Sequence, residues 1–409
     1  MSEHPRIFLN PPHQTGQETI EIQKVLHSNY LAPVGEALTD FEQDLGHQLH
    51  HASGVVALNS GTSAIHLALR LLDVGPGDIV LCPTFTFAGA AFPIMYLGAV
   101  PVFIDSAPQS VNLDPQLLET AIQYHAAKGQ KPKAIIAVHL YGFPYQVTQI
   151  NALAERYDIP IVEDAAEALG ARYQGSACGR LGTMGVLSFN GNKIITTSSG
   201  GALVTPTPEM RQRALYLAQQ AKDASVVYHH TELGYNYRMS NLCAALGRAQ
   251  LKELNLRLQQ KKQIHQRYID LANQYEGISI YTLADHLSAS NNVAVHDSDK
   301  NRMVRHTSGA DKPTQQEPNY WLNILRLNPA AGTLMPAQVI DQFDAHNIEA
   351  RHVWKPMHLQ PVFARAKTFL NGSSAHWFEH SLCLPSGTAM DPAQWNRIEA
   401  VFKACFAPK

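Results

Sequence analysis

The chain has 409 residues, 45% hydrophobic and 16% charged, enough to bury a large core and to divide into two domains. Lys plus Arg number 32 against 34 Asp plus Glu, a formal charge of -2, which removes the electrostatic case for nucleic acid or an acidic membrane as partner. Five cysteines (Cys82, Cys178, Cys243, Cys383, Cys405) form no CxxC pair and no apolar run is long enough to span a bilayer, so we expect a cytoplasmic protein with reduced thiols and no metal site.

In chain order, helical spacing over 17–27 and 36–50 brackets the loop Asn29-Tyr-Leu-Ala-Pro-Val-Gly35, which either presents backbone to a ligand or simply joins two helices. An apolar strand over 54–58 then runs into Asn59-Ser-Gly-Thr-Ser63 and a helix from Ala64. Free N–H groups at such a helix start make an anion site, with Gly61 allowing close approach and Thr62 or Ser63 supplying hydroxyls; Ser and Thr also simply cap helices. The alternation continues with strands at 78–82, 101–104, 133–139 and 160–163 and helices at 88–97, 115–127 and 147–157. This pattern predicts a mostly parallel α/β sheet whose carboxyl strand ends share one ligand-binding edge. Thr84-Phe-Thr-Phe87 and Asp164 lie on that edge, and Phe87 is either core or an aromatic face for a flat ring.

Asp164 ends an apolar strand, and Lys193 sits in the polar stretch Ser188 to Gly201 between two short apolar strands. A buried carboxylate wants a cation, and a buried lysine is either paired or used, as an amine of depressed pKa or in a Schiff base. A carboxylate for a pyridinium nitrogen, a lysine for an aldehyde, a helix start for a phosphate and an aromatic over the ring make up the set that pyridoxal phosphate asks for. A structural Asp–Lys pair is the alternative. Beyond Gly201 come a helix over 208–220, the stretch Leu233-Gly-Tyr-Asn-Tyr-Arg-Met-Ser240 before a helix of small apolar residues, and a long polar helix over 252–275. From 287 to 318 the composition collapses into Ser, Asn, Asp, Lys, Thr and Gln, which reads as an exposed, mobile insertion without a catalytic role. A strand over 319–327, a helix over 336–345, a strand at 349–351, the loop Trp354-Lys-Pro-Met-His358 and a helix from Pro392 complete an α+β unit. The expected division is a large domain over 1–250 and a small C-terminal domain over 251–409.

Over nearly its whole length the chain resembles the nucleotide-sugar aminotransferases of the DegT/DnrJ/StrS type. The likeness lies in Ala32-Pro-Val-Gly35 with Asp40-Phe-Glu42, Asn59-Ser-Gly-Thr-Ser-Ala64, Thr86-Phe87, Glu163-Asp-Ala-Ala-Glu-Ala-Leu-Gly170, Ser188-Phe-Asn with Lys193, and Gly234-Tyr-Asn-Tyr-Arg-Met239. The resemblance implies the type I PLP-dependent (aspartate-aminotransferase-like) fold, with Lys193 bonded to the aldehyde of pyridoxal 5'-phosphate and Asp164 on its ring nitrogen. Gly61, Thr62, Ser63 and Ser188 would lie at the phosphate and Phe87 on the ring, with Asn236 reaching the phosphate from the partner of a homodimer with shared active sites. Glu167 departs from the pattern, because many members carry Gln or His there for the cofactor's phenolic oxygen. Ala32 to Gly35 and Trp354 to Pro361 look most like enzymes that use L-glutamate to aminate C4 of a UDP-linked 4-keto-6-deoxy-N-acetylglucosamine, the precursor of a bacillosamine-type sugar. Pro33, Gly35, Arg238, Lys355 and His358 would then meet the sugar nucleotide. The alternatives are amination at C3 of another nucleotide keto-sugar and a non-catalytic regulatory protein of the same fold. A related dehydratase would carry histidine in place of Lys193, and a nicotinamide oxidoreductase would show G-x-G-x-x-G after the first strand.

Overall fold

The computed structural model describes residues 4–50, 54–291 and 316–409. Its centre is an eight-stranded sheet in the order Val55–Leu58, Gly201–Val204, Met184–Ser188, Ile161–Asp164, Ala134–Val138, Ile79–Pro83, Val100–Ile104 and Lys367–Phe369. Gly201–Val204 runs antiparallel to both its neighbours; the other pairs are parallel. Helices cover both faces, which is why Ile79–Pro83 and Ala134–Val138 are buried at every position and show no polar alternation. Successive side chains still go to opposite faces. Val80, Cys82, Ile136 and Val138 pack with Leu67 and Ile94, while Ile79, Leu81, Ile135 and Ala137 pack with Leu118 and Ile150.

A second, antiparallel sheet has the order Ile278–Ile280, Asn323–Leu327, Ser381–Leu384, Arg351–His352. Its core joins Leu325, Leu327 and Leu382 to Tyr268, Phe343 and Phe402, contributed by the helices Leu254–Ala272, Pro336–Ala345 and Pro392–Cys405. Ile7, near the start of the chain, is buried in that same core. Residues after 250 also enter the large sheet: Lys367–Phe369 pairs in parallel with Val102 to Ile104, and Trp321, Ile324 and Trp377 belong to the large-sheet core.

Two sequence expectations are revised here. The strand expected over 319–327 begins only at Asn323, because the Asn319 side chain donates to the Glu167 and Leu169 carbonyls (2.9 and 3.0 Å) and accepts the Trp321 N–H (2.9 Å), which keeps 319–322 out of the sheet. Of the insertion expected at 287–318, residues 292–315 lie outside the described residues, and both flanks pack. Leu283–Asn291 is a helix in which Ser288 Oγ donates to Gln109 Oε1 (3.1 Å), and Gln316–Glu317 pairs with Arg172 and Tyr173. Among the described residues no helix is long and apolar enough to cross a membrane.

Candidate active site

The turn after Val55–Leu58 is built by close packing. Ser60 caps the helix Gly61–Leu71 by accepting the Ser63 N–H (3.0 Å). A Cβ on Gly201 would lie 2.4 Å from the Gly61 nitrogen and 2.5 Å from the Ser60 carbonyl carbon, so only glycine lets the Gly201–Val204 strand lie against this helix start. The Cβ position of Gly61 falls 3.1 Å from Ser188 Cβ, which brings the Ser188 side chain to the same helix N-terminus. Backbone N–H groups, the helix dipole and two hydroxyls, those of Thr62 and Ser188, thereby converge on one end of a cavity.

That cavity, of about 290 Å³, is lined by Gly61, Thr62, Phe87, Asp164, Glu167, Ser188 and Lys193, together with Asn190, Asn192 and Trp354. Asp164 closes one wall from the end of its strand. Its side chain is buried, and its Oδ1 accepts the Ala166 N–H at 3.0 Å. Burial raises its pKa, opposed by that hydrogen bond and by the Lys193 ammonium. Glu167 is also raised by burial, with Lys193 the largest opposing influence. Its Oε1 lies 3.7 Å from Lys193 Nζ and its Oε2 accepts the Tyr141 N–H at 2.7 Å. The glutamate that departs from the expected Gln or His is therefore held between a backbone donor and the lysine. Phe87, half exposed at 52%, leans against Trp354 with ring centroids 5.1 Å apart, and the two rings form an aromatic wall.

Other expected contacts are placed elsewhere. Ser63 Oγ donates to Asn59 Oδ1 (2.7 Å) as part of the cap and does not line the cavity. Asn236 is exposed, and its carbonyl accepts from Asn59 Nδ2 at 3.2 Å, next to the phosphate-type turn. Pro33 and Lys355 are exposed, Gly35 backs onto the Asn241 side chain, and His358 Nδ1 lies 2.7 Å from Thr84 Oγ1. Arg238 overturns its expectation as a pyrophosphate ligand most clearly. Its side chain is only 9% exposed, and its guanidinium is paired with Glu42 and bonded to the Ala57 carbonyl at 2.9 Å. Glu42 also accepts from Arg211 (2.9 Å) and from the Ala57 N–H (2.7 Å), so this is a structural ion cluster under the first strand.

Sequence reasoning missed Trp321, whose ring centroid lies 4.2 Å from Lys193 Nζ, and Tyr141, stacked between Trp321 and Trp354. Nothing local marks either residue; only the packed fold brings Trp321 to Lys193 and Tyr141 to Glu167. His139, Glu163 and Cys178 form a buried group of metal-ligand type. The lone pairs of its carboxylate and imidazole are taken: Glu163 accepts from His139 Nε2 (2.7 Å) and from the N–H groups of Gly179, Leu181 and Gly182, while His139 Nδ1 accepts the Tyr145 N–H. The group clamps the loop 178–182.

The donor set fits pyridoxal 5'-phosphate. A buried carboxylate facing a cavity calls for a cation such as a pyridinium, the helix start supplies donors for a phosphate, and Lys193 lies at the same cavity to meet an aldehyde. Comparison with known proteins agrees. EpsN of Bacillus subtilis (strain 168), whose name describes a pyridoxal phosphate-dependent aminotransferase, is 38% identical over 98% of this chain and 96% of its own length. The GDP-perosamine synthase of Caulobacter vibrioides is 33% identical over 90% of each chain, and the UDP-2-acetamido-2-deoxy-3-oxo-D-glucuronate aminotransferase of Pseudomonas aeruginosa is 37% identical over 59% of this chain and 65% of its own. The PLP form of Spr1654 from Streptococcus pneumoniae, described as a sugar aminotransferase, superposes with a TM-score of 0.81 at 25% identity over 98% of each chain. The sequence pattern of one family matches residues 12–307 and 298–403, nearly the entire chain, and with the type I fold and the Asp164–Lys193 cavity it establishes that this pyridoxal phosphate-dependent enzyme belongs to the DegT/DnrJ/EryC1/StrS aminotransferase family.

Proposed function

We propose that the enzyme moves the amino group of L-glutamate to C4 of a UDP-linked 4-keto-6-deoxy-N-acetylhexosamine, as a cytoplasmic homodimer with shared active sites. The observation that carries the chemistry is the convergence of Lys193, Asp164 and the Gly61 helix start on one cavity. When bound, pyridoxal phosphate supplies an aldehyde and an electron-accepting ring. Asp164 holds a proton on the ring nitrogen, a role suited to a carboxylate out of water with few other partners. The Lys193 amine takes a proton from Cα of the amino donor, and in the second half of the cycle it returns one to the sugar carbon that receives the amine. Gly61, Thr62 and Ser188 hold the phosphate, and Phe87 with Trp354 keeps water from one face. Glutamate leaves as 2-oxoglutarate and the keto-sugar leaves as an amino-sugar.

The choice of C4 and of UDP rests on the likeness of Ala32 to Gly35 and Trp354 to Pro361 to enzymes of that specificity. Relatives whose names specify a GDP-sugar or a 3-oxo UDP-sugar make C3 amination the second reading. The dimer is supported by apolar side chains left in water on two segments: Tyr30, Leu31 and Val34 on one, Val226, Val227, Tyr228 and Leu233 on the other. Asn236 lies at the end of the second segment, where it can serve a neighbouring subunit's phosphate. The test presents a UDP-linked 4-keto sugar with a 2-acetamido group, its 2-hydroxy analogue, a GDP-linked 4-keto sugar and a 3-keto isomer, each with glutamate, and follows 2-oxoglutarate. Turnover of the 3-keto isomer alone rejects C4, and turnover of the GDP sugar alone rejects UDP.

A further inference from the structure

Lys261 is 1% exposed and takes no part in the chemistry above. Its Nζ donates to Asn10 Oδ1 (2.8 Å), to the Trp321 carbonyl (2.8 Å) and to the Ser386 carbonyl (2.5 Å). Three acceptors match the three N–H groups of an ammonium, so the charged form is satisfied by dipoles alone, with no carboxylate among them. Burial lowers its pKa to about 7. A lysine placed this way is costly, and two of its partners lead directly to the active site. Asn10 Nδ2 donates to the Asn192 carbonyl at 2.6 Å, and Trp321 Nε1 donates to that same carbonyl at 2.7 Å. The Asn192 carbonyl belongs to the peptide bond that carries Lys193, and the Trp321 ring also lies against Lys193 Nζ, 4.2 Å from its centroid.

We infer that Lys261 is a positioning residue for Lys193: it fixes Asn10 and Trp321, which together grip the peptide before Lys193 and the face of its side chain. The inference rests on Lys193 as the cofactor lysine. It adds that the aim of this amine is set from the helix Leu254–Ala272, which lies outside the segment 188–201 that carries Lys193. The grip needs both hands, because one hydrogen bond to the Asn192 carbonyl leaves the peptide free to tilt about it. A tilt that moves Nζ by about 1 Å is enough to lower turnover by about a hundredfold.

The experiment compares holoenzyme carrying Lys261→Met or Asn10→Ala with the wild type. It reads three quantities: the pH midpoint of the visible absorbance of the Lys193-bound cofactor without any sugar, kcat and KM for glutamate, and Tm. The tilt of the peptide carries Lys193 Nζ off the Trp321 ring, which removes a cation–π contact and lowers the absorbance midpoint by about half a pH unit or more in both variants. Turnover falls at least tenfold with KM for glutamate changed less than threefold. Asn10→Ala alters no charge, so its midpoint reports geometry alone, and it keeps the inference open to refutation even where Lys261→Met does not fold. An unchanged or raised midpoint in Asn10→Ala overturns the inference, whatever happens to Tm. Because no sugar is present, an error in the acceptor leaves this result untouched, and an error in Lys193 shows earlier as wild-type enzyme without a yellow band.

Discussion

Removing Arg238 separates two incompatible roles for one cation. As a ligand for the sugar nucleotide's pyrophosphate, Arg238→Ala would raise KM for that substrate and leave stability alone. The geometry predicts the reverse. Arg238 donates to Glu42 and to the Ala57 carbonyl from a site only 9% exposed, and Glu42 keeps Arg211 and the Ala57 N–H when Arg238 is gone. The carboxylate is therefore not orphaned, and the loss is that of charge-assisted hydrogen bonds, about 2–3 kcal/mol. Glu42→Ala is more severe, because it leaves the buried Arg238 guanidinium with a carbonyl and no counter-ion, about 3–5 kcal/mol. Calorimetric Tm should thus fall in the order wild type, Arg238→Ala, Glu42→Ala, with KM for the sugar nucleotide within about twofold of wild type in Arg238→Ala. A Tm at the wild-type value together with a tenfold higher KM would refute this reasoning and return Arg238 to the substrate.

Four other outcomes follow from the same geometry. Lys193→Ala removes the yellow band and the transamination of glutamate together; an active variant would displace Lys193 from its role. Gly201→Ala pushes the Gly201–Val204 strand off the helix start, since the added carbon meets backbone 2.4 Å away, and pyridoxal phosphate affinity measured by fluorescence quenching drops at least tenfold; unchanged affinity would contradict a phosphate site there. Glu167 has a pKa raised by burial above 4.5, so it contributes stability below that value and loses it as pH climbs through the raised one; in apoprotein, Glu167→Gln therefore raises Tm at neutral pH and flattens its decline above pH 4.5, and a lower Tm would contradict the sign. Asp164→Asn raises the apoprotein's Tm by the same argument while weakening cofactor binding, and tighter binding would remove the pyridinium role.

What could be read from the sequence was what local chemistry determines. The turn 59–63 declares itself by a strand, a cap and a glycine in succession, and Asp164 by an acid at the end of an apolar strand, so both fell where the pattern put them. Phe87 follows the same strand-end logic, whereas Ser188 was legible only through the family resemblance. Long-range pairing is what the sequence hides. Arg238 looks like a free cation until Glu42, far upstream, is packed beneath it, and Trp321 looks like part of a strand until Asn319 bends the chain toward Glu167. The flanks of the polar stretch 287–318 mislead for a related reason: Gln316 and Glu317 have no apolar signal, yet their backbone finds partners in Arg172 and Tyr173.

The strand Lys367–Phe369 has a bearing on how the chain leaves the ribosome. It covers the outer side of Val100–Ile104, whose N–H and C=O groups otherwise form the open end of the large sheet. During synthesis that end waits for more than half the protein to be made, with Val102, Phe103 and Ile104 beside it as an apolar template for any other extended chain. A nascent chain halted before residue 367 is thus poised to pair with its neighbours on a polysome, and truncations that spare every active-site residue should still collect in inclusion bodies. Lys367, whose ammonium sits over the rings of Tyr124 and Phe369, places a charge on the closing strand itself, the kind of residue that keeps a finished sheet from recruiting a ninth member.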